Sequence, residues 1–138
     1  MRFLILVKAE AADEPGARPQ EGLSAAMAAY HQALARAGVL LDGAGLQPSA
    51  KGWRIHYDEG HCLVCEGPFA GSPAGLVAGY AVIQVRTREE ALEWSRRFPA
   101  PHDAAAAVQI EARPLYERDD FAAAVAADHA CGLTNRPA

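Results

Sequence analysis

Phe3-Leu4-Ile5-Leu6-Val7, closed by Lys8, is apolar at every position. A strand sends successive side chains to opposite faces. A run without polar alternation therefore asks for burial on both faces, as the central strand of a covered sheet would have it. The run is too short to be anything else. A secretory signal needs about 7–15 apolar residues and a membrane span about 20. The stretch is expected to be the first strand, over residues 2–8, of an intracellular, cytoplasmic protein with no membrane contact.

Working outward, residues 10–21 form a polar loop with Pro15, Gly16 and Pro19. Leu23, Met27, Tyr30 and Leu34 then recur at the i, i+4, i+7, i+11 spacing of one buried helical stripe. Alanine, the best helix former, fills most of the remaining positions, and Gly38 supplies the stop. Val39-Leu40-Leu41 opens a second strand running into Asp42-Gly43. Trp53–Tyr57 and Cys62–Cys65 flank a turn at Asp58-Glu59-Gly60-His61, which is a hairpin pattern. Residues 66–78 read as a Gly- and Pro-rich loop. Tyr80-Ala81-Val82-Ile83-Gln84-Val85 reads as a central strand. Thr87 and Glu90 form a capping box for a helix whose inner side is Ala91, Trp94, Ser95 and Phe98, ended by Pro99. Val108–Arg113 alternates as a half-buried strand, and a last Ala-rich helix starts near Asp119 or Asp120.

The order is β-α-β, hairpin, β-α-β, terminal helix. That is an α+β chain with a ferredoxin-like split β-α-β sheet, an added hairpin and a C-terminal helix. Helices in such a fold cover one sheet face. The doubly apolar first strand needs the other covered too, and a second copy, giving a homodimer, is the simplest cover.

Composition narrows the function classes. The 138 residues suit one domain, 51% of them are hydrophobic and 22% charged, and the net charge is −4. No basic stripe is present, so no direct nucleic-acid contact is expected. Three cysteines without an export signal read as free thiols. Cys62 and Cys65 have C-x-x-C spacing, but on a strand residues three apart face opposite ways, so no shared metal is expected. There is no phosphate-binding glycine loop, no nucleophile elbow and no metal spacing. Nothing calls for a metal or any other cofactor.

Gly38 to Pro48, with its Leu-Leu-Asp-Gly-Ala-Gly-Leu core, resembles the DGPF-domain branch of the YCII-related family. Glu66-Gly67-Pro68-Phe69-Ala70 resembles the naming motif with Glu in place of Asp, and Gly79-Tyr80, Glu89–Trp94 and Glu111-Ala112-Arg113-Pro114 follow in matching order. The resemblance covers residues 1–116 as one domain, leaving 117–138 as a helical extension. It implies a dimeric α+β barrel. It also implies a His–Asp pair for acid/base work, for which His31 and Asp42 are the candidates, although the family's histidine position falls nearer Met27. In such a pair the carboxylate orients the imidazole and brings its proton exchange near neutral pH. The charged stretch that follows the motif in the family is Gly71-Ser72-Pro73-Ala74 here.

Each candidate has a structural alternative. His31 flanks an apolar stripe where a histidine commonly makes one structural bond. Asp42 can cap the turn at Gly43. Glu66 can face a cleft or accept loop N–H bonds. Arg113 can hold an anionic ligand or pair with Glu111. Tyr80 and Trp94 read as core. Two functions stay open. One is a small-molecule ligand held in a cleft between helices and sheet by Asp42, Glu66 and Arg113, with or without acid/base chemistry. The other is a non-catalytic regulatory or partner-binding module, linked by the resemblance to sigma-factor regulation.

Overall fold

A computed structural model of the chain describes residues 1–9, 21–69, 76–99 and 108–122. The elements are β1 (Arg2–Ala9), α1 (Glu21–Arg36), β2 (Leu40–Gly45), a 3-10 turn (Ser49–Lys51), β3 (Trp53–Asp58), β4 (His61–Glu66), β5 (Leu76–Gln84), α2 (Arg88–Arg96) and β6 (Val108–Pro114). The protein is α+β, and the strand pairs among the described residues are all antiparallel. One sheet has four strands in the order β2-β5-β1-β6, and among the described residues β3 pairs only with β4. The polar loop after β1, the Gly71–Ala74 stretch, His102-Asp103, Cys131 and the terminal helix beyond Ala122 lie outside the described residues.

β1 is an inner strand, which is why its sequence lacks alternation. Phe3 and Ile5 point to the helices, where they join Ala81, Ile83, Tyr30, Leu34, Val39 and Ala91 in one buried cluster. Leu4 and Leu6 point the other way and are half-buried. In register, Leu4 lies beside Val82 and Arg113, and Leu6 beside Tyr80 and Glu111.

The helix signals act as local physics requires. Gly38 adopts φ +70°. Its N–H donates to Ala35 O at 3.0 Å and that of Val39 to Leu34 O at 3.1 Å, the paired bonds of a Schellman ending. Leu34 and Val39, the two residues that such an ending brings together, are both core residues. At α2, Thr87 Oγ1 accepts the Glu90 N–H at 3.1 Å. The Glu90 carboxylate accepts the Arg86 N–H at 2.9 Å, one residue before the cap rather than at the cap itself. The Tyr30 hydroxyl donates to Trp94 O at 2.9 Å and so ties the two helices. Burial pushes that phenol up to about 12.

Two boundaries differ from expectation. β5 begins at Leu76, inside the stretch read as loop. Gly79 hides the strand: a Cβ there would stand 3.0 Å from Ala44 O, so close pairing with β2 uses glycine where a strand pattern wants a side chain. The last described helical segment starts at Arg118, with Asp120 Oδ2 accepting the Glu117 N–H at 2.7 Å.

The hairpin turns through Glu59 (φ 45°) and Gly60 (φ 83°). Two successive positive φ values define the primed turn that matches strand twist. Of the two, only glycine takes such a conformation without steric cost.

Candidate functional site

The face of the four-stranded sheet turned away from the helices carries the polar residues. Side chains fall into rows across it. Asp42, Val82, Leu4 and Arg113 make one row, and Ala44, Tyr80, Leu6 and Glu111 the next. Val82, Leu4, Tyr80 and Leu6 are half-buried and form a floor, while Asp42 and Arg113 stand exposed at its two edges.

Asp42 is held in place twice. Its Oδ1 accepts the Gly43 N–H at 2.8 Å, the backbone bond anticipated for it, although the two residues lie within β2 and not in a turn. Its Oδ2 accepts the Tyr80 hydroxyl at 3.0 Å. The carboxylate, by that bond and by its charge, raises the Tyr80 pKa, because ionising the phenol would set two anions side by side. Tyr80, read as core, thus belongs to the polar group. At the other edge Lys8 Nζ lies 3.0 Å from Glu111 Oε2. The bond from Lys8 and its charge, aided by Arg113, hold the Glu111 carboxyl below the usual range. Arg113 therefore does act on Glu111, but Lys8, which sequence reading treated only as the end of an apolar run, is the close partner.

The remaining candidates lie elsewhere. His31 on α1 is half-buried beside Gly43, its Nε2 3.5 Å from where a Cβ on that glycine would stand. Gly43 registers with the buried Ala81, whereas Asp42 registers with Val82. The His31 imidazole is therefore on the helix side of β2 and the Asp42 carboxylate on the open side. Glu66 is the last residue of β4, opposite Trp53 and exposed. The hairpin, not the four-stranded sheet, carries it.

The residues after Glu66 close the base of that hairpin. The Gly67 N–H donates to Gly52 O at 2.9 Å, and the Phe69 N–H donates to Ser49 Oγ at 3.0 Å. The Arg54 guanidinium lies 4.1 Å from the centre of the Phe69 ring, a cation–π contact. Any Cβ on Gly67 would collide with the Ser49 carbonyl. Gly-Pro-Phe thus works as a structural clasp in this chain.

Cys62 and Cys65 are free thiols on β4, opposite Tyr57 and Arg54 respectively. Their spacing on one strand turns them to opposite faces. Among the described residues no group of three or more His, Cys, Asp or Glu side chains gathers as a metal site. Nor is any described helix long and apolar enough to cross a membrane.

An α+β chain with one helix-covered sheet, a detached hairpin and a polar row on the open face defines the class. The family follows from comparison: the YCII-related domain matches residues 1–126, so the chain belongs to that family. No curated protein sequence matches the chain.

Proposed function

We propose that the protein is a homodimer of the DGPF branch that binds a small molecule over the open sheet face, with Asp42 and Tyr80 as its principal polar contacts. The strand order supports the architecture. Without the hairpin, the four remaining strands lie second, third, first and fourth across an antiparallel sheet, with helices after the first and third. A ferredoxin-like sheet has that arrangement, and pairing two of them by their open faces gives a dimeric α+β barrel.

The observation that carries the reading is the Asp42–Tyr80 bond beside an apolar floor. A few fixed polar groups set against an apolar surface are the usual makings of a small-molecule site. Tyr80 keeps its proton more tightly than a free phenol, so near neutral pH it serves as a donor and not as a base. The pair therefore favours binding over proton abstraction. His31 is left to a packing role over Gly43, and Glu66 to the hairpin.

A fragment library screened by amide chemical shifts tests this. Binders should move Gly43, Tyr80 and Leu6 together, and Tyr80→Phe with Asp42→Asn should abolish the response. A library that moves none of the three sinks the reading.

The hairpin supports a second reading, a non-catalytic module docking a partner protein, including the regulatory link to sigma factors. Trp53, Ile55 and Tyr57 share one hairpin face with Val64, and all four are exposed. Loss of partner binding in Trp53→Ser with Tyr57→Ser, the fragment site being intact, would select it.

A further inference from the structure

Charge on the open face is arranged with a direction. Lys8 and Glu111 neutralise one another at 3.0 Å, and Arg2 and Glu117 do the same at 3.1 Å. Asp42 is held by two neutral donors, the Gly43 N–H and the Tyr80 hydroxyl, so its charge has no cation of its own among the described residues. Arg113 sits at the far end of the same row, three strands away. Strands lie about 4.8 Å apart, which puts the two Cα positions about 14 Å from each other. That exceeds the screening length of physiological salt, about 8 Å. Within one chain, Asp42 and Arg113 do not pair.

A two-fold axis that lays one open face on another must lie between the two sheets. Two orientations follow the sheet geometry. An axis across the strands sets β2 on the partner's β2, acid edge on acid edge. An axis along the strands reverses the row. Asp42 then lies over the partner's Arg113, Val82 over the partner's Leu4, and Tyr80 over the partner's Leu6. Facing sheets stand about 10 Å apart, a gap that an arginine and an aspartate side chain together bridge. Like charges brought face to face disfavour the first orientation, and opposite charges favour the second.

We infer that two copies of this chain pair through their open sheet faces about an axis along the strands, each Asp42 meeting the partner's Arg113. The inference rests on the homodimer proposed above and deepens it, because each Asp42–Tyr80 site then has an arginine contributed by the other copy. A ligand bound there meets a carboxylate, a phenol and a guanidinium, which suits a small molecule presenting both a hydrogen-bond donor and an anionic group.

Reciprocal charge reversal tests the inference with the whole chain. Asp42→Arg sets two arginines against each other at both ends of its own dimer, and Arg113→Asp sets two aspartates. Mixed one to one, the variants restore an opposite-charge pair at both ends. Sedimentation and native mass spectrometry should show each variant at least tenfold weaker in self-association than the unmodified protein. The mixture should show a heterodimer as the main species. A mixed dimer also demonstrates that both variants fold. Variants that self-associate like the unmodified protein, or a mixture that yields no heterodimer, overturn this register and leave the homodimer standing. An unmodified protein that stays monomeric at micromolar concentration overturns the homodimer itself.

Discussion

The four-stranded sheet and the β3–β4 hairpin are both built from antiparallel strands with primarily apolar sequences, yet they are held by different forces. In the sheet, Ile5 is 1% exposed and Ile83 0% exposed. In the hairpin, Trp53 is 63% exposed and Tyr57 79%. An isolated two-stranded hairpin is marginal in water. This one relies on local devices: the primed turn at Glu59-Gly60, the Arg54–Phe69 contact, and the Gly67 and Phe69 bonds at its base. The contrast teaches that a strand pattern in sequence predicts pairing without predicting what supplies the stability.

Substitution should separate the two regimes. Ile83→Ala empties part of the buried cluster and should cost about 2–5 kcal/mol, read as a large drop in the thermal midpoint. Tyr57→Ala, on the hairpin, should cost under about 0.5 kcal/mol. Equal losses at the two positions would show that the hairpin face is buried, as in an assembly. Gly67→Ala comes next. Its methyl group must displace the Ser49 backbone, at about 1–3 kcal/mol of overpacking. Hydrogen exchange should speed up at the β3 and β4 amides while β1 and β5 stay protected. Uniform acceleration would mean that the hairpin and sheet unfold as one unit.

Thr87→Ala removes the Glu90 N–H acceptor and should cost about 1 kcal/mol, with faster exchange confined to the first turn of α2. The smallest effect is electrostatic. The Glu111 carboxyl titrates below the ordinary glutamate range because of Lys8. A depressed acid adds stability above its unfolded-state pKa, and that contribution fades as pH falls through the lower folded value. Carbon-detected titration should place Glu111 below a free glutamate, and Lys8→Met should return it toward the ordinary value. An unchanged midpoint in Lys8→Met would assign the shift to another neighbour.

The helices and the fold class were legible because their signals are local. Gly38 stops α1 and Thr87 starts α2 through bonds made within a few residues. β1 was legible because five consecutive apolar residues admit few readings. Position across the sheet was less so. The partnership of Asp42 with Tyr80 depends on the register of β2 against β5, including the shift between Leu40 and Asp42, and no residue near either one encodes it. Lys8 finds Glu111 across β1 and β6 for the same reason. The alternation of Tyr80, Val82 and Gln84 against Ala81, Ile83 and Val85 did carry a usable hint that Tyr80 faces away from the core. The β3–β4 turn shows the opposite limit: Gly60 announces its conformation, while Glu59 takes a positive φ that its type rarely adopts.

The place of β1 in the sheet has a consequence for synthesis. Its partners are β5 and β6, with Ile5 meeting Ala81 on one side and Ala112 on the other. The nascent chain therefore carries Phe3–Val7 unpaired until β5 has been translated. At about 5–20 residues per second that wait lasts several seconds. Throughout it, five apolar residues without proline or charge stand open to misassociation. Soluble yield should therefore respond to translation speed as well as to the stability of the finished fold.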